Sequence, residues 1–365
     1  MSTKLQCPVG LLWLTVFCAG CGSSNEPDAS HTADTATEVA KPVEADPHPL
    51  DHPHDLPDTS TPTKPEASSD AAQSSAPNGS KEPEVPKTDV PPKGTNGEKN
   101  SPRRKELDPK VIEAWQETGA LVGWLAQSDF GEWQYLKDKP EDVVSLPVFL
   151  WRDYTPGMFA KLPAPAAPFA MGLGNSGMTN AGLKELAGLQ NLQALDLSHT
   201  KVTDAGLKEL AALKNLHSVD LGASMVTDAG LKELANVKSL QKLYFGSTAV
   251  TDTGLRHLAT LKNLHTLYVY NTKVADAGLK HLAGHQNLQT LLLYKTQVSD
   301  AGLKELAGLK KLQTLGLIST AVTDVGLKEL ATVKSLQSLH LVDTKVTDEG
   351  VAELSKVRPE LRISR

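Results

Sequence analysis

Residues 178–249 read MTNAGLKELAGLQNLQALDLSHTK, VTDAGLKELAALKNLHSVDLGASM and VTDAGLKELANVKSLQKLYFGSTA, written here as three blocks of 24 residues. The same opening pattern returns at residues 250, 274, 298, 322 and 346 without any insertion. A fixed period of this length is typical of structural units that stack on one another and share a core. The segment therefore predicts an array of eight units, which extends the folded region over residues 169–365.

Each block contains one strand pattern and one helix pattern. The sequence Leu195-Asp196-Leu197 alternates apolar and polar residues, which predicts a short strand with its leucines facing inward. The leucines of 207–213 recur every three residues, which predicts one apolar face of a short helix. Asp204 occupies the expected N-cap position, and Gly206 is expected to let neighbouring helices approach each other.

The repeated pattern L-x-x-L-x-L-x-x-T-x-V-T-D-x-G-L-x-x-L resembles the leucine-rich-repeat family, of the ribonuclease-inhibitor-like or cysteine-containing type. The resemblance covers about residues 169–363. It implies an α/β solenoid, a horseshoe with a concave parallel sheet and short convex helices. The family's usual Asn or Cys after the strand is replaced by a hydroxyl residue, and we expect these hydroxyls to satisfy loop backbone groups in a buried ladder: Ser176, Thr200, Ser224, Thr248, Thr272, Thr296, Thr320 and Thr344.

Residues 105–168 are predicted to form a small N-terminal cap. Asp108-Pro109 is a helix start signal, and apolar residues over 108–127 fall near helical spacing, so this whole run is predicted to be helical. Four of the five tryptophans of the chain lie between Trp115 and Trp151. A solenoid exposes core leucines at an open end, so an aromatic segment directly before the first repeat is best explained as its cover.

The first 104 residues are of a different kind. Residues 1–20 combine Lys4, an apolar run at 9–19 and small residues before Cys21, which is typical of a secretory signal peptide. The stretch 18–21 (CAGC) resembles a bacterial lipobox, except that Cys18 stands where the family usually has Leu. The resemblance implies lipidation of Cys21, with simple secretion as the alternative. Residues 21–104 form a Pro/Ser/Thr/acidic linker without any aromatic residue, and we expect it to be disordered.

Composition excludes several classes of function. The formal net charge of −6 and the absence of a basic stripe in the sequence argue against nucleic acid as a partner. The three cysteines all lie within the first 21 residues, so the repeats contain no thiol for a metal or a disulfide. His48, His52 and His54 lie in the linker, and His257 and His281 lie on outer helices; neither set predicts a metal site. We expect no cofactor and no metal.

The predicted binding surface is the sheet face that points away from the core. Tyrosines and aliphatic side chains occupy neighbouring positions there, within roughly 10 Å across the strands, and we expect an exposed patch that binds a partner: Tyr244, Tyr268, Tyr270, Leu292, Tyr294 and Ile318. An alternative is that the rings only stabilise the sheet as cross-strand neighbours. Asp196 and Asp220 lie on adjacent strands of the same face, at a separation of about 5 Å that would suit a retaining glycosidase.

The sequence thus predicts an exported, lipid-anchored, monomeric binding protein of the cell envelope. Its membrane attachment would be Cys21, and its partner would be a protein or a glycan bound by the concave face. An envelope spacer without a specific ligand is one alternative. A glycan-cleaving enzyme that uses Asp196 and Asp220 is another, although no catalytic residue is assigned, because an open sheet lacks the enclosed pocket that active sites require.

Overall fold

The computed structural model describes residues 106–127, 133–140 and 145–365. The predicted signal peptide, the predicted lipidation site Cys21 and the predicted linker lie outside these ranges. The described strands are β1 Leu121–Gln127, β2 Trp133–Leu136, β3 Ser145–Leu150, β4 Phe169–Gly172, β5 Leu192–Asp196, β6 Ser218–Asp220, β7 Lys242–Tyr244, β8 Thr266–Tyr268, β9 Thr290–Leu292, β10 Thr314–Gly316, β11 Ser338–His340 and β12 Arg362–Ser364.

Short helices alternate with these strands. They are α1 Pro109–Gln116, α2 Asn180–Glu185, α3 Asp204–Leu207, α4 Asp228–Leu234, α5 Asp252–Leu258, α6 Asp276–Leu279, α7 Asp300–Leu303, α8 Asp324–Leu330 and α9 Asp348–Val357. A 3-10 turn continues α3, α6 and α7, over Lys208–Ala212, Lys280–Leu282 and Lys304–Gly308.

The strands form a single open sheet in the order β12-β11-β10-β9-β8-β7-β6-β5-β4-β3-β1-β2. From β3 to β12 every neighbouring pair is parallel. Leu195 pairs with Val219, which pairs with Leu243, so each step across the sheet brings equivalent positions of consecutive repeats together. The predicted leucine-rich-repeat solenoid is confirmed. Its parallel character is not complete, because β1 pairs antiparallel with both β2 and β3.

One hydrophobic core runs through the cap and all the repeats. It begins at Val111 and ends at Leu361, and its strand leucines and helix leucines are almost entirely buried. Alternate strand residues such as Leu195 and Leu197 enter this core, while Asp196 between them faces the other side. Stacking is therefore what completes each unit, since each repeat shares its core with its neighbours.

The helix predicted over 108–127 is only half correct. Asp108 accepts a hydrogen bond from the Lys110 amide at 2.9 Å, and Pro109 begins the helix as the sequence indicates. The helix ends at Gln116, because Gly119 adopts a φ of 89° that turns the chain out of the helical path. Residues 121–127 then pair with two strands, so the apolar residues of this segment belong to a sheet.

Aromatic rings fill the first end of the core. Trp115 is fully buried, and its ring centroid lies 4.6 Å from that of Phe149, 5.5 Å from Trp151 and 5.4 Å from Phe169. Its indole N–H donates to the Pro163 carbonyl at 2.9 Å. The carboxylate of Glu185, on the first repeat, accepts from the Tyr154 hydroxyl and from two amides of the segment 157–159. The predicted cap residues therefore continue the solenoid, and they are fastened to its first helix.

The predicted N-cap role of Asp204 is wrong. Thr203 holds the cap position, and Asp204 is the first helical residue. The Asp204 carboxylate instead accepts the backbone N–H and the hydroxyl of Thr227, each at 2.7 Å, in the next repeat. Because the repeats stack in register, the Thr227 amide lies beside the first turn of α3, where the Asp204 carboxylate accepts its hydrogen bond. Equivalent bonds join the later repeats: Asp228 to Thr251, Asp276 to Ser299, Asp300 to Thr323 and Asp324 to Thr347.

The repeated glycine of each helix is explained by these aspartates. A Cβ at Gly230 would lie 2.5 Å from Oδ1 of Asp204 and 2.8 Å from the Val226 side chain. Such distances are below van der Waals contact, so any larger residue must displace the carboxylate that links two repeats. The expectation that these glycines let neighbouring helices approach is confirmed, and the approaching group is the carboxylate.

The hydroxyl ladder is also confirmed. Each hydroxyl donates to the carbonyl three residues earlier, as Thr200 does to Leu197 at 2.6 Å. The residue immediately before each hydroxyl has a left-handed backbone with φ between 51° and 58°, although none is glycine. This conformation costs roughly 1 kcal/mol for such residues. The cost is offset by pairing, because the His199 amide donates to the Gly222 carbonyl of the next repeat at 2.8 Å.

A buried arginine covers the C-terminal end of the core. Arg358 is only 2% exposed, and its guanidinium donates to the carbonyls of Val333 and Leu336 at 2.8 Å and to that of Lys334 at 3.2 Å. Its Nε also donates to Glu360. These carbonyls belong to the loop of the preceding repeat, so the arginine supplies the donors that a further repeat would otherwise supply.

Candidate functional site

The sheet has one face that packs on the helices and one that does not, which we call the open face. The open face contains the strand residues between the core leucines. Tyr244, Tyr268 and Leu292 are neighbours across β7, β8 and β9 in the pairing register. Tyr270, Tyr294 and Ile318 each lie two residues after the last residue of a strand, β8, β9 and β10 respectively. The six side chains form one hydrophobic cluster that is separate from the main core, and we call it the tyrosine cluster.

The structure brings all six predicted residues together but buries half of them. Tyr268 is 5% exposed, and Leu292 and Tyr294 are each 4% exposed. Tyr244 packs edge to face on Tyr268, with ring centroids 4.7 Å apart. The prediction of a wholly exposed patch is therefore wrong for these three residues, because adjacent strands place the rings in contact with one another. The accessible part of the cluster is Tyr244, Tyr270 and Ile318, which are half-buried.

Two glycines make room for the outer tyrosines. A Cβ at Gly246 would overlap the ring of Tyr270, and a Cβ at Gly316 would overlap the ring of Tyr294. The two rings thus lie flat over their neighbours and lean in opposite directions along the sheet. Tyr270 leans toward the earlier repeats, where its hydroxyl comes within 3.6 Å of the Cβ position of Gly222. The sequence alone places these glycines on the open face, but the contact of each with a tyrosine ring of a neighbouring repeat is visible only in the structure.

Tyr270 connects the tyrosine cluster to the acidic side of the open face. Burial raises the pKa of its hydroxyl, and the nearby carboxylate of Asp220 raises that pKa further. Asp220 in turn pairs with Asp196 across β5 and β6. Over consecutive repeats, the side chains of the open face therefore change from carboxyl to aromatic to aliphatic.

The two aspartates have structural partners. Asp196 is 3% exposed and accepts the Ser198 amide at 2.8 Å, and Asp220 accepts the Gly222 amide at 2.8 Å. Each carboxylate thus closes the turn at the end of its own strand. Burial raises the pKa of both carboxyl groups above their ordinary range, and the charge of Asp196 raises that of Asp220 further. Ionising both together is unfavourable because like charges lie close in a poorly hydrated place.

His340 lies at the other end of the open face, on β11. His340 Nδ1 is 2.9 Å from the Ser364 hydroxyl, and Nε2 is 3.3 Å from the Ser338 hydroxyl. Burial lowers the pKa of this imidazole. Both ring nitrogens have hydroxyl partners, so the contacts tie the last strand to its neighbour.

Across the ranges that the structure describes, no group of three His, Cys, Asp or Glu residues is placed to hold a metal ion. In those same ranges, no helix combines the length and the apolar character needed to cross a membrane.

Comparisons with known proteins find likenesses to leucine-rich-repeat proteins. The model of the family described as Leucine Rich repeat matches residues 188–211 and 334–355. Curated protein sequences give no match. Solved structures that resemble the chain include internalin C2 of Listeria monocytogenes, with 26% identity and a TM-score of 0.44, covering 70% of this chain and 92% of that one.

Two further structures resemble it over a smaller part. Internalin F of Listeria monocytogenes is 23% identical with a TM-score of 0.44, covering 53% of this chain and 52% of its own length, so the chain spans about half of that protein. A leucine-rich-repeat protein of Leptospira interrogans is 20% identical with a TM-score of 0.38, covering 53% of this chain and 59% of that one.

Proposed function

We propose that this chain, a leucine-rich-repeat protein, binds a partner protein through the tyrosine cluster of its open face. The observation that carries the proposal is the cluster itself: six large side chains gathered on the sheet face that the main core does not use. A solvent-facing sheet surface is ordinarily covered by polar side chains. Here the large apolar ring of Tyr270 lies over Gly246, where no side chain could fit beside it. Tyrosines of this kind combine a flat apolar surface with a hydroxyl at low entropic cost, which suits recognition.

The six residues divide into two roles in this proposal. Tyr244, Tyr270 and Ile318 keep accessible surface and are the contact residues. Tyr268, Leu292 and Tyr294 lie beneath or between them and hold the contact residues in place, because rings locked by neighbours lose little freedom on binding. A glycan remains a second class of partner, since aromatic faces also stack on sugar rings, and an envelope spacer remains the alternative without a ligand.

Replacing Tyr270 by Ala is expected to weaken partner binding by at least tenfold, about 1.4 kcal/mol. The ring contributes accessible aromatic surface on the side of the cluster that faces Asp220, where it lies over Gly246. The measurement is cross-linking of the full chain in envelope extracts, with captured proteins identified by mass spectrometry. The same chain applied to a glycan array tests the second class of partner.

Lys328→Ala provides the matched control, because this exposed lysine lies on α8, away from the open face. It should capture the same proteins as the unaltered chain. If Tyr270→Ala also captures the same proteins at the same yield, the cluster is not the contact surface. A lower melting temperature with unchanged capture would show that the rings serve only the sheet.

The proposal includes export and lipid attachment at Cys21, which lies outside the described residues. Its support is the apolar run at 9–19 and the small residues before Cys21. The native protein is expected to begin at Cys21 and to carry the mass of attached acyl chains, which mass spectrometry of its N-terminal peptide measures. A mature chain with an unmodified Cys21 thiol would leave secretion without an anchor.

A further inference from the structure

The helices of the repeats present a row of exposed cations. In seven of the eight repeats, the residue four positions after the first helical residue is a lysine or an arginine, and every one of these side chains is exposed: Lys184, Lys208, Lys232, Arg256, Lys280, Lys304 and Lys328. The next residue is glutamate in six of the eight repeats, and in five of these it follows a lysine and opposes its charge: Glu185, Glu209, Glu233, Glu305 and Glu329, whereas Glu353 follows Ala352.

The glutamate row is interrupted at two adjacent repeats. His257 follows Arg256 at the end of α5, and His281 follows Lys280 in the turn that continues α6. Both histidines are half-buried. Arg256 and Lys280 therefore lack the glutamate that follows each of the other five cations of the row. We call these four residues the cationic patch.

Charges of its own repeat and of the preceding repeat act on His281. The pKa of His281 is lowered, first by burial and then by the positive charges of Lys280 and Arg256. Asp252, at the first turn of α5, opposes this with a smaller upward effect. Glu233 and Glu305 occupy the corresponding position in the repeats on either side. Arg256 of one repeat is therefore close enough to influence the imidazole of the next.

Folding does not require histidine at these positions. The helix α4, with Glu233, has the same seven-residue length and the same buried glycine and leucines as α5 with His257. The turn over Lys304–Gly308, with Glu305, follows α7 as the turn with His281 follows α6. His257 and His281 are thus free to serve binding in place of the glutamates of the other repeats.

We propose that the cationic patch, with Lys232 and Lys304 on its two sides, binds a linear phosphate polymer lying along the solenoid. Cations at the same position of consecutive repeats form a row that a chain of phosphate groups can follow. Arg256 offers paired donors that fit phosphate oxygens, and the two lysines supply point charges. The flanking glutamates confine the anion to the two middle repeats and their borders.

The test measures binding of a fluorescently labelled inorganic polyphosphate to the full chain by anisotropy at pH 6.0 and low salt. His257→Glu/His281→Glu restores the composition of the neighbouring repeats and should melt within a few degrees of the unaltered protein. We expect this variant to lose at least tenfold in affinity, and the affinity of the unaltered chain to fall steeply with added salt. Glu305→His, which extends the patch by one repeat, should bind more tightly.

A second readout follows the imidazole itself. The pKa of His281, measured by NMR, should rise when polyphosphate binds, because phosphate charge offsets the effect of Lys280 and Arg256. Arg256→Gln/Lys280→Gln removes the cations without adding carboxylates and should lose binding equally. Unchanged affinity in both double variants would overturn the proposal, and so would a static His281 pKa. Equal affinity for poly-glutamate or for monophosphate would also overturn it, since neither is a phosphate polymer.

Discussion

Replacing Trp115 by Ala is expected to lower the free energy of unfolding by about 3–5 kcal/mol. The indole is fully buried among Phe149, Trp151 and Phe169, and its N–H satisfies the Pro163 carbonyl. Truncation would leave a large cavity at the point where the cap meets the first repeats. Urea unfolding of the full chain, followed by circular dichroism, measures the loss.

Trp124→Ala is the matched control for this substitution. Trp124 is half-buried, and its ring faces Lys139, whose Nζ lies 5.2 Å from the ring centroid. Its removal should cost about 1 kcal/mol or less, as partly exposed cation–aromatic contacts usually do. If Trp115→Ala is no more damaging than Trp124→Ala, the cap is not an integral part of the solenoid core.

Replacing Arg358 by Met is expected to cost about 3 kcal/mol. Methionine keeps much of the apolar stem, yet it leaves the carbonyls of Val333, Lys334 and Leu336 without their donor. Each buried polar group that loses its hydrogen-bond partner lowers the free energy of unfolding by about 1–3 kcal/mol. The same unfolding experiment measures this loss, and hydrogen exchange should show that protection falls first in the last two repeats.

Arg362→Met serves as the comparison, because Arg362 is exposed on the final strand. It should alter the unfolding midpoint very little. A small effect of Arg358→Met would mean that water or other groups satisfy the three carbonyls, and that the buried guanidinium is not what covers this end of the core.

The sequence alone predicted the solenoid because its period repeats without error. Leu195 and Leu197 have equivalents at the same two positions of each of the other 24-residue units. Only stacking the units in register buries all of these residues together. The hydroxyl ladder followed for the same reason, since Thr200 recurs at a fixed distance from its strand. Periodic features are readable because each copy confirms the others.

Features that lack a period were harder to predict. The segment 121–127 has apolar residues near helical spacing, and only its pairing partners decide that it is a strand. The partner of Asp204 lies 23 residues away, so local cap rules gave the wrong acceptor role. The burial of Tyr268 also depends on neighbours from other repeats. Membership of the tyrosine cluster was predictable, whereas the division between accessible and covered rings was not.

The bond from each aspartate to the next repeat has a consequence for how such a chain can change its length. Because Asp228 meets Thr251 as Asp204 meets Thr227, most internal junctions are made by the same pair of hydrogen bonds. The exceptions have Asn180 in place of the aspartate and Ala275 in place of the hydroxyl residue. A gene segment that encodes one whole unit can be copied or lost without creating a mismatched joint. The two dissimilar ends, built around Trp115 and Arg358, need not change. Descent by unit duplication would then adjust the reach of the binding surface while leaving the protein foldable at every step.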